Sequence, residues 1–218
     1  MKFAIFLGIA ALGLAAASSA NAAAFSDGSF ETPGNGNTKT LITTGIGPWI
    51  HAGAGQDYYE FTGSDGQVAQ NGNYFVGFGQ SGSVGGTLSQ TFDTISGNVY
   101  NVSYFVAKQQ DGAPADAALF DVSVVDAISS TSLASSSGSV TGTTYVLQTL
   151  SFTAASASSN LTFKDDGGVN NIYYNLSVDY FTVNGSVGPG PAPVPEPVSL
   201  ATLGVGLVGL AAARRRRR

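Results

Sequence analysis

The sequence predicts an all-β protein whose body folds as an antiparallel β-sandwich. Its short apolar stretches alternate with polar residues at a period of two, as half-buried strands do, and clusters of Gly, Ser and Asn separate them. No sustained helical period of 3.6 residues runs through this part of the sequence. Residues 23–185 are numerous enough for one domain with a hydrophobic core. We therefore predict one sandwich of roughly eight strands, with its first and last strands adjacent.

The clearest predicted strand spans residues 99–107. Its apolar residues Tyr100, Val102, Tyr104 and Val106 occupy every second position, so we expect them to be buried together and the residues between them to be more exposed. The body should contain no helix longer than a turn or two. The other predicted strands are residues 73–78, 87–92, 118–128, 145–154, 160–164 and 172–183, and the predicted turns are residues 81–86, 96–98 and 165–168.

The N-terminal 22 residues have the three parts of a secretory signal peptide. Lys2 supplies a basic start, residues 3–17 form an apolar run, and residues 20–22 form a small-x-small cleavage site. We predict cleavage by signal peptidase after Ala22, with Ala24 as the alternative position, and therefore export of the protein. An uncleaved N-terminal anchor is the other interpretation of the same run.

The C-terminal part of the sequence predicts a linker, a processing motif, a membrane helix and a basic stop. The Pro/Gly-rich linker at residues 186–193 can build neither a helix nor a sheet ladder. The apolar run at residues 198–213 would give a transmembrane helix of about 24 Å, slightly shorter than a hydrocarbon core of about 30 Å. The arginines that end segment 194–218 are costly to translocate and hold the C-terminus in the cytoplasm. The processing motif is Pro195, Glu196 and Pro197, and the membrane stop signal is Arg214, Arg215, Arg216, Arg217 and Arg218.

This order of motif, apolar helix and arginines closely resembles the PEP-CTERM sorting signal of Gram-negative bacteria. The resemblance implies processing by exosortase, a membrane transpeptidase-like enzyme that acts near the Pro-Glu-Pro motif. It also implies a precursor held transiently in the inner membrane, and a mature protein at the cell surface or in the extracellular matrix. Such proteins are typical of organisms that make exopolysaccharide and biofilm. A plain single-pass anchor is the alternative interpretation.

The composition limits what the body can do. Between Asp27 and Asp179, thirteen acidic residues stand against Lys39, Lys108 and Lys164, so the mature body has a formal charge near −10. Nucleic acid is therefore not an expected partner, because phosphate binding needs clustered Lys or Arg. An acidic surface suits neutral glycans and divalent cations. The chain has no Cys, which excludes disulfides, thiolate nucleophiles and Cys-type metal sites.

A series of short motifs extends over nearly the whole body, from residue 25 to residue 185. They are GSFE at 28–31, PW at 48–49, GNYFVG at 72–77, LSQTF at 88–92, GNVYNVSYF at 97–105, LTF at 161–163 and VDYFTV at 178–183. In this order they resemble a galactose-binding-like jelly roll, and in particular the DUF642 family and related carbohydrate-binding modules. The sequence departs from the family in lacking its Cys residues and in its closing motif. The resemblance implies a sandwich that binds carbohydrate.

A loop-rich, polar segment carries the candidate ligand-binding residues. Trp49, Tyr58 and Tyr59 would stack flat rings on the apolar face of a pyranose, and His51 and Asp57 would bond its hydroxyls. The predicted partner is a polysaccharide. For Trp49, structural packing in the core is an equally open interpretation.

The resemblance also implies a structural calcium ion. Galactose-binding-like modules often hold Ca²⁺ where the first and last strands meet, and Asp27, Glu31 and Asp179 match those positions by order. Carboxylate oxygens are the ligands that Ca²⁺ prefers. Solvated acidic residues at strand ends are the alternative interpretation.

The residues that could catalyse a reaction are few. His51 is the only histidine and lies in a Gly-rich stretch, and the pair Asp165–Asp166 is typical of a turn. We therefore predict a non-catalytic glycan-binding protein. A structural or adhesive surface protein with no ligand pocket is the alternative, and a glycan-active enzyme is the third. Exposed aromatic residues with amides on one face would favour glycan binding.

Overall fold

The computed structural model describes residues 24–79, 84–109, 117–168 and 176–186. Within these ranges the chain forms twelve β-strands and one 3-10 turn at Ser64–Gly66. In chain order the strands are β1 (Thr40–Leu41), β2 (Gly45–Ile46), β3 (Trp49–Ala52), β4 (Tyr58–Phe61), β5 (Tyr74–Phe78), β6 (Thr87–Asp93), β7 (Val99–Lys108), β8 (Ala118–Asp126), β9 (Ser132–Val140), β10 (Val146–Thr153), β11 (Ser158–Gly168) and β12 (Leu176–Ser186).

The strands form two six-stranded antiparallel sheets that enclose one hydrophobic core. Sheet 1 has the strand order β1-β4-β5-β12-β7-β10, and sheet 2 has the order β2-β3-β6-β11-β8-β9. Apolar side chains from both sheets form a single core cluster. The predicted all-β sandwich is confirmed. The predicted number of roughly eight strands is wrong, because the described residues form twelve. The predicted turn at residues 165–168 is also wrong, because these residues continue β11. The predicted absence of a longer helix also agrees with the described residues, where the 3-10 turn is the only helical element.

The prediction that the first and last strands are adjacent is wrong. β1 pairs with β4, whereas β12 lies between β5 and β7. The segment before β1 does reach β12, since the Phe181 N–H donates to Gly28 O at 2.8 Å. That segment does not become a strand because Asp27 and Phe30 have φ angles of 50° and 57°, which turn the chain.

The side chains of β7 alternate as the sequence predicts. Val102, Tyr104 and Val106 are fully buried and Tyr100 is half-buried against the core. Asn101, which lies between them, is exposed. The rings of β7 and its neighbours pack edge to face and in stacks, as aromatic cores prefer. This register directs Asn101, Ser103 and Phe105 to the outer face of sheet 1.

A β-bulge interrupts the pairing of β12 with β7. Asp179 pairs with Phe105, but the next pair along the ladder is Thr182 with Ser103. Two residues of β12 therefore face one residue of β7, and the first of them, Tyr180, has a φ angle of 52°. As a result Asp179 and Tyr180 both lie on the outer side of sheet 1, while the next side chain, Phe181, enters the core.

The predicted signal peptide at residues 1–22, most of the linker at 186–193 and the tail at 194–218 lie outside the described residues. In the ranges that the structure does describe, no helix has the length and apolar character needed to cross a membrane.

Candidate functional site

Trp49 is a core residue. Its side chain is 1% exposed, and its ring packs against Phe25, Phe30 and Phe181 at centroid distances of 5.0 to 5.7 Å. The indole N–H donates to Asp27 O at 2.9 Å. The interpretation of Trp49 as a core residue is right, and its interpretation as a sugar-binding residue is wrong, because β3 directs this side chain inward.

The two neighbouring tyrosines have different environments. Tyr59 is buried; its hydroxyl donates to Phe30 O at 2.5 Å and accepts the Gly34 N–H at 3.2 Å. Burial raises its pKa, so this phenol is a structural group. Tyr58 is half-buried on the outer side of β4, with the Lys39 ammonium 5.0 Å from the centre of its ring. Only Tyr58 of the three predicted aromatic residues is therefore within reach of a ligand.

His51 and Asp57 form a buried pair. The His51 Nε2 and Asp57 Oδ2 atoms are 2.8 Å apart, and the other oxygen of Asp57 accepts the Gly79 N–H at 3.2 Å. Burial raises the pKa of Asp57, and the bond from His51 opposes this rise. A Cβ atom at Gly86 would lie 1.7 Å from Asp57 Oδ2, so the backbone at Gly86 packs tightly against the carboxyl. The pair joins β3 to neighbouring loops and does not present groups to a sugar.

The three predicted calcium ligands lie near one another. Burial is the main cause that raises the pKa of both Asp27 and Asp179, and the nearby charge of Glu31 adds to the rise in each case. Their oxygens accept backbone N–H bonds: Glu31 Oε1 accepts two, at 2.8 and 3.0 Å, and Asp27 accepts that of Thr32 at 3.1 Å. In the described ranges, no group of three or more His, Asp and Glu residues is placed to hold a metal ion. Calcium binding here therefore stays a prediction.

An apolar row crosses the outer face of sheet 1. Phe105 on β7 stacks on Tyr180 of β12, with ring centres 6.1 Å apart and planes at 25°. Leu147 on β10 pairs with Phe105 in the ladder and is 52% exposed. Tyr180 is 38% exposed, because the bulge turns it outward. We call Phe105, Leu147 and Tyr180 the platform.

Hydroxyl and amide groups extend from the platform along the same strands. The Ser103 and Thr182 hydroxyls are 2.6 Å apart, so both stand on the outer face next to the platform. Two residues from Ser103 along β7, the side-chain amide oxygen Oδ1 of Asn101 accepts a bond from the Ser151 hydroxyl at 2.6 Å. Aromatic and apolar groups beside hydroxyls and amides match the apolar face and hydroxyls of a pyranose.

A cavity of about 290 Å³ lies beside the connection between β4 and β5. It is lined by residues 66–70 and 143–145. Gln70 belongs to this lining, and its N–H donates to Asp179, the residue before Tyr180. The ring of Tyr145 is half-buried, but its hydroxyl is buried, and burial raises its pKa. Through Gln70, the cavity is therefore connected by one hydrogen bond to the bulge that carries Tyr180.

The residues of the platform were not predicted from the sequence as binding residues, for a specific reason. Phe105 is an apolar residue at a position where the alternation of β7 calls for an exposed one, and this was the available signal. Tyr180 gave no such signal. A period-two count through β12 fails at the bulge, which shifts each later side chain to the opposite face.

The fold defines a class of protein: a two-sheet antiparallel sandwich that resembles carbohydrate-binding modules. The structure of TmCBM61 in complex with β-1,4-galactotriose matches with a TM-score of 0.50 at 17% identity, covering 65% of this chain and 91% of that one. The CBM22-1–CBM22-2 tandem domain of Paenibacillus barcinonensis Xyn10C also matches with a TM-score of 0.50 at 17% identity, covering 81% of this chain and 50% of that one. These similarities show the fold alone.

The chain belongs to the DUF642 family, described as proteins of unknown function, whose model matches residues 23–184. A PEP-CTERM protein-sorting motif matches residues 193–218. Both resemblances drawn from the sequence are confirmed. The comparison with curated proteins gives no match.

Proposed function

We propose that this protein is a non-catalytic, exported protein that binds a polysaccharide on the platform. The observation that carries the proposal is the stacked, partly exposed pair of Phe105 and Tyr180, with Leu147 beside it, on a face that also presents hydroxyls and amides. Exposed aromatic pairs in such surroundings are typical of surfaces that bind sugar rings. The buried pair of His51 and Asp57 supports a non-catalytic role, because it holds the chain's one histidine away from solvent.

The charges favour a neutral polysaccharide. The outer positions of β7, β10 and β12 that the structure describes carry one charged residue, Asp179, and its side chain is fully buried. Lys39 lies beside Glu60 and Asp65, and Lys164 is bonded to Asp166, so these cations are already paired. Anionic polysaccharides would meet a body with a formal charge near −10 and no basic patch to bind them.

The PEP-CTERM motif supports an export route that ends outside the cell. In this proposal, signal peptidase removes residues 1–22, the tail holds the precursor in the inner membrane, and exosortase acts near Glu196. The mature protein then binds the exopolysaccharide of its own biofilm at the surface or in the matrix of a Gram-negative bacterium.

The test is retention of the mature exported protein by insoluble neutral polysaccharides. Phe105→Ala and Tyr180→Ala should each strongly reduce retention, because each removes half of the stacked pair. Ile50→Ala is the matched control, since Ile50 is a 61% exposed strand residue on β3 of sheet 2. Retention should be absent on polygalacturonate. Full retention of either platform variant would contradict the proposal.

A structural or adhesive role without a ligand is the second candidate. Sheet 2 supports it, because the outer positions of β8 and β9 are rich in serine and form a groove of about 350 Å³ that includes Ser123, Ser135 and Ser137. This surface has hydroxyls but no exposed aromatic ring. If no polysaccharide retains the wild-type protein, this candidate replaces the first.

A further inference from the structure

The bulge in β12 leaves two backbone N–H groups outside the ladder with β7. Pairing stops at Asp179 and resumes at Thr182. The Phe181 N–H is satisfied by Gly28 O at 2.8 Å, and the Tyr180 N–H donates to the Asp179 carboxyl oxygen Oδ1 at 2.6 Å. A buried N–H must find a partner, so this carboxyl replaces the missing ladder bond.

The other oxygen of Asp179 holds a loop. Oδ2 accepts the N–H groups of Gln70 and Asn71 at 2.7 and 2.9 Å, which lie in the connection between β4 and β5. The Asp179 side chain is fully buried and accepts three backbone bonds in all. It therefore fixes the bulge against a second, distant segment of the chain.

The conformation that this carboxyl supports is an uncommon one. Tyr180 has a φ angle of 52°, in the left-handed region that aromatic side chains rarely adopt. The direction of the Cβ atom, and so of the ring, depends on this angle. In this conformation the ring of Tyr180 stacks on Phe105 and completes the platform.

We infer that Asp179 is a positioning residue for glycan binding: its carboxyl holds the backbone of Tyr180 in the left-handed conformation and so aims the ring at the platform. This inference rests on the proposed function. Asp179 acts through Tyr180 and does not touch the glycan, because its own side chain is closed off from solvent.

The experiment compares Asp179→Asn in two backgrounds of the full exported protein. In the aspartate, Oδ1 faces Tyr180 and Oδ2 faces the loop; an asparagine has a donor NH₂ at one of these two positions, so it cannot accept bonds on both sides. The probes are cellotetraose, xylotetraose and β-1,4-galactotetraose, and the one with the highest affinity for the wild type is used for calorimetric titration. Asp179→Asn should weaken binding about tenfold, through loss of preorganisation. In the Tyr180→Ala background it should cause no further loss, because the ring on which it acts is gone.

The control and the outcomes separate the two hypotheses. Asp165→Asn replaces another fully buried carboxyl, in sheet 2, and should leave the affinity unchanged. Unchanged affinity in Asp179→Asn, or an equal loss in both backgrounds, would overturn the inference and leave the proposed function intact. Unchanged affinity in Tyr180→Ala would overturn the proposed function itself, and so would a lack of binding to every probe.

If Asp179→Asn does not fold, or if Tyr180→Ala binds too weakly to measure, hydrogen exchange of the wild-type protein tests whether Asp179 positions Tyr180. The N–H groups of Tyr180, Gln70 and Asn71 should be protected in the free protein, because the carboxyl already holds them. Fast exchange at Tyr180 in the free protein, with protection only after sugar is added, would show that the ring is positioned by the ligand and not by Asp179.

Discussion

Trp49 is expected to determine the stability of the sandwich and not its binding. The indole fills a buried site between Phe25, Phe30 and Phe181, and its N–H donates a hydrogen bond to Asp27 O. Trp49→Ala would leave a cavity and an unpaired carbonyl, so we expect it to lower the free energy of unfolding by about 3–5 kcal/mol. The melting temperature should fall by roughly 10 °C or more, as measured by calorimetry.

The neighbouring residue provides the control for Trp49. Ile50 is 61% exposed, so Ile50→Ala should change the melting temperature little. If Trp49→Ala instead melts like the wild type and loses polysaccharide retention, the core assignment is contradicted.

Asp165 is expected to make the protein less stable as the pH rises. Burial raises the pKa of this carboxyl to about 7, and the Gly167 N–H, which donates to it at 3.0 Å, opposes the rise. The folded protein therefore binds more protons than the unfolded chain from about pH 4 up to about pH 7, and its free energy of unfolding decreases through this window. Urea denaturation at about pH 5 and about pH 8 should show the higher midpoint at the lower pH.

Replacement of Asp165 should reduce that pH dependence. Asp165→Asn removes the titrating group, whereas Asp93→Asn changes an exposed carboxyl and should leave the dependence as it is. Some dependence should persist in Asp165→Asn, because burial raises the pKa of Asp179 to about 8 in the same direction. A full wild-type difference between the two pH values in Asp165→Asn would contradict the assignment.

At single residues, the sequence predicted burial well where a strand was long. The alternation through β7 predicted the burial of Val102, Tyr104 and Val106. The burial of Trp49 could not be predicted in this way, because β3 has only four residues and Gly-rich neighbours. Such a strand is too short to show an alternation of apolar and polar residues. The bonds that make Asp57 and Tyr59 structural come from residues 6 to 29 positions away in the chain, which no local pattern reports.

Among the elements, the bulge in β12 makes the most specific prediction. A non-glycine residue in the left-handed region carries a strain of roughly 1–3 kcal/mol, which glycine does not carry. We therefore expect Tyr180→Gly to be more stable than Tyr180→Ala by about 1 kcal/mol. Chemical denaturation of the two variants measures this difference directly.

The same pair of replacements on β7 should give the opposite order. Phe105 lies in regular strand, where glycine is less favourable than alanine by about 0.5–1 kcal/mol. Phe105→Gly should therefore be less stable than Phe105→Ala. If glycine is the less stable choice at residue 180 as well, the left-handed conformation of Tyr180 is contradicted.

The elements themselves were only partly predictable. The seven strands read from the sequence correspond to β5, β6, β7, β8, β10, β11 and β12. β9 was missed because it is rich in serine, lies at the edge of sheet 2 and buries only Val140. β1 and β2 have two residues each, too few to show an alternation, and β1 is defined by its pairing with β4, which lies well beyond it in the sequence. The bulge is set by tertiary bonds to Gly28 and the β4–β5 connection, so composition alone does not reveal it.

For the molecule as a whole, the charge and the position of the platform select the same kind of ligand. The platform lies on the outer face of sheet 1, whereas Lys39 and Lys164 are paired with carboxyls outside it. A body of formal charge near −10 repels polyanions at long range, while a neutral chain experiences only the short-range contacts of the platform. Binding to neutral polysaccharide should therefore depend little on salt concentration, in contrast to binding that releases counterions from a charged polymer.

Processing of the tail is a prediction about the entire chain. The sorting motif matches residues 193–218, which contain Pro195-Glu196-Pro197 and the terminal arginines. If exosortase acts near this motif, the exported protein should lose the apolar run and the arginines, and mass spectrometry of the mature form should give a C-terminus near residue 195. Glu196→Ala should accumulate as a precursor in the inner membrane, if the enzyme reads that carboxylate. Asp166→Ala, which changes an exposed carboxyl in the body, should be processed normally. Mature surface protein that still carries Arg218 would show that the tail serves as a plain anchor.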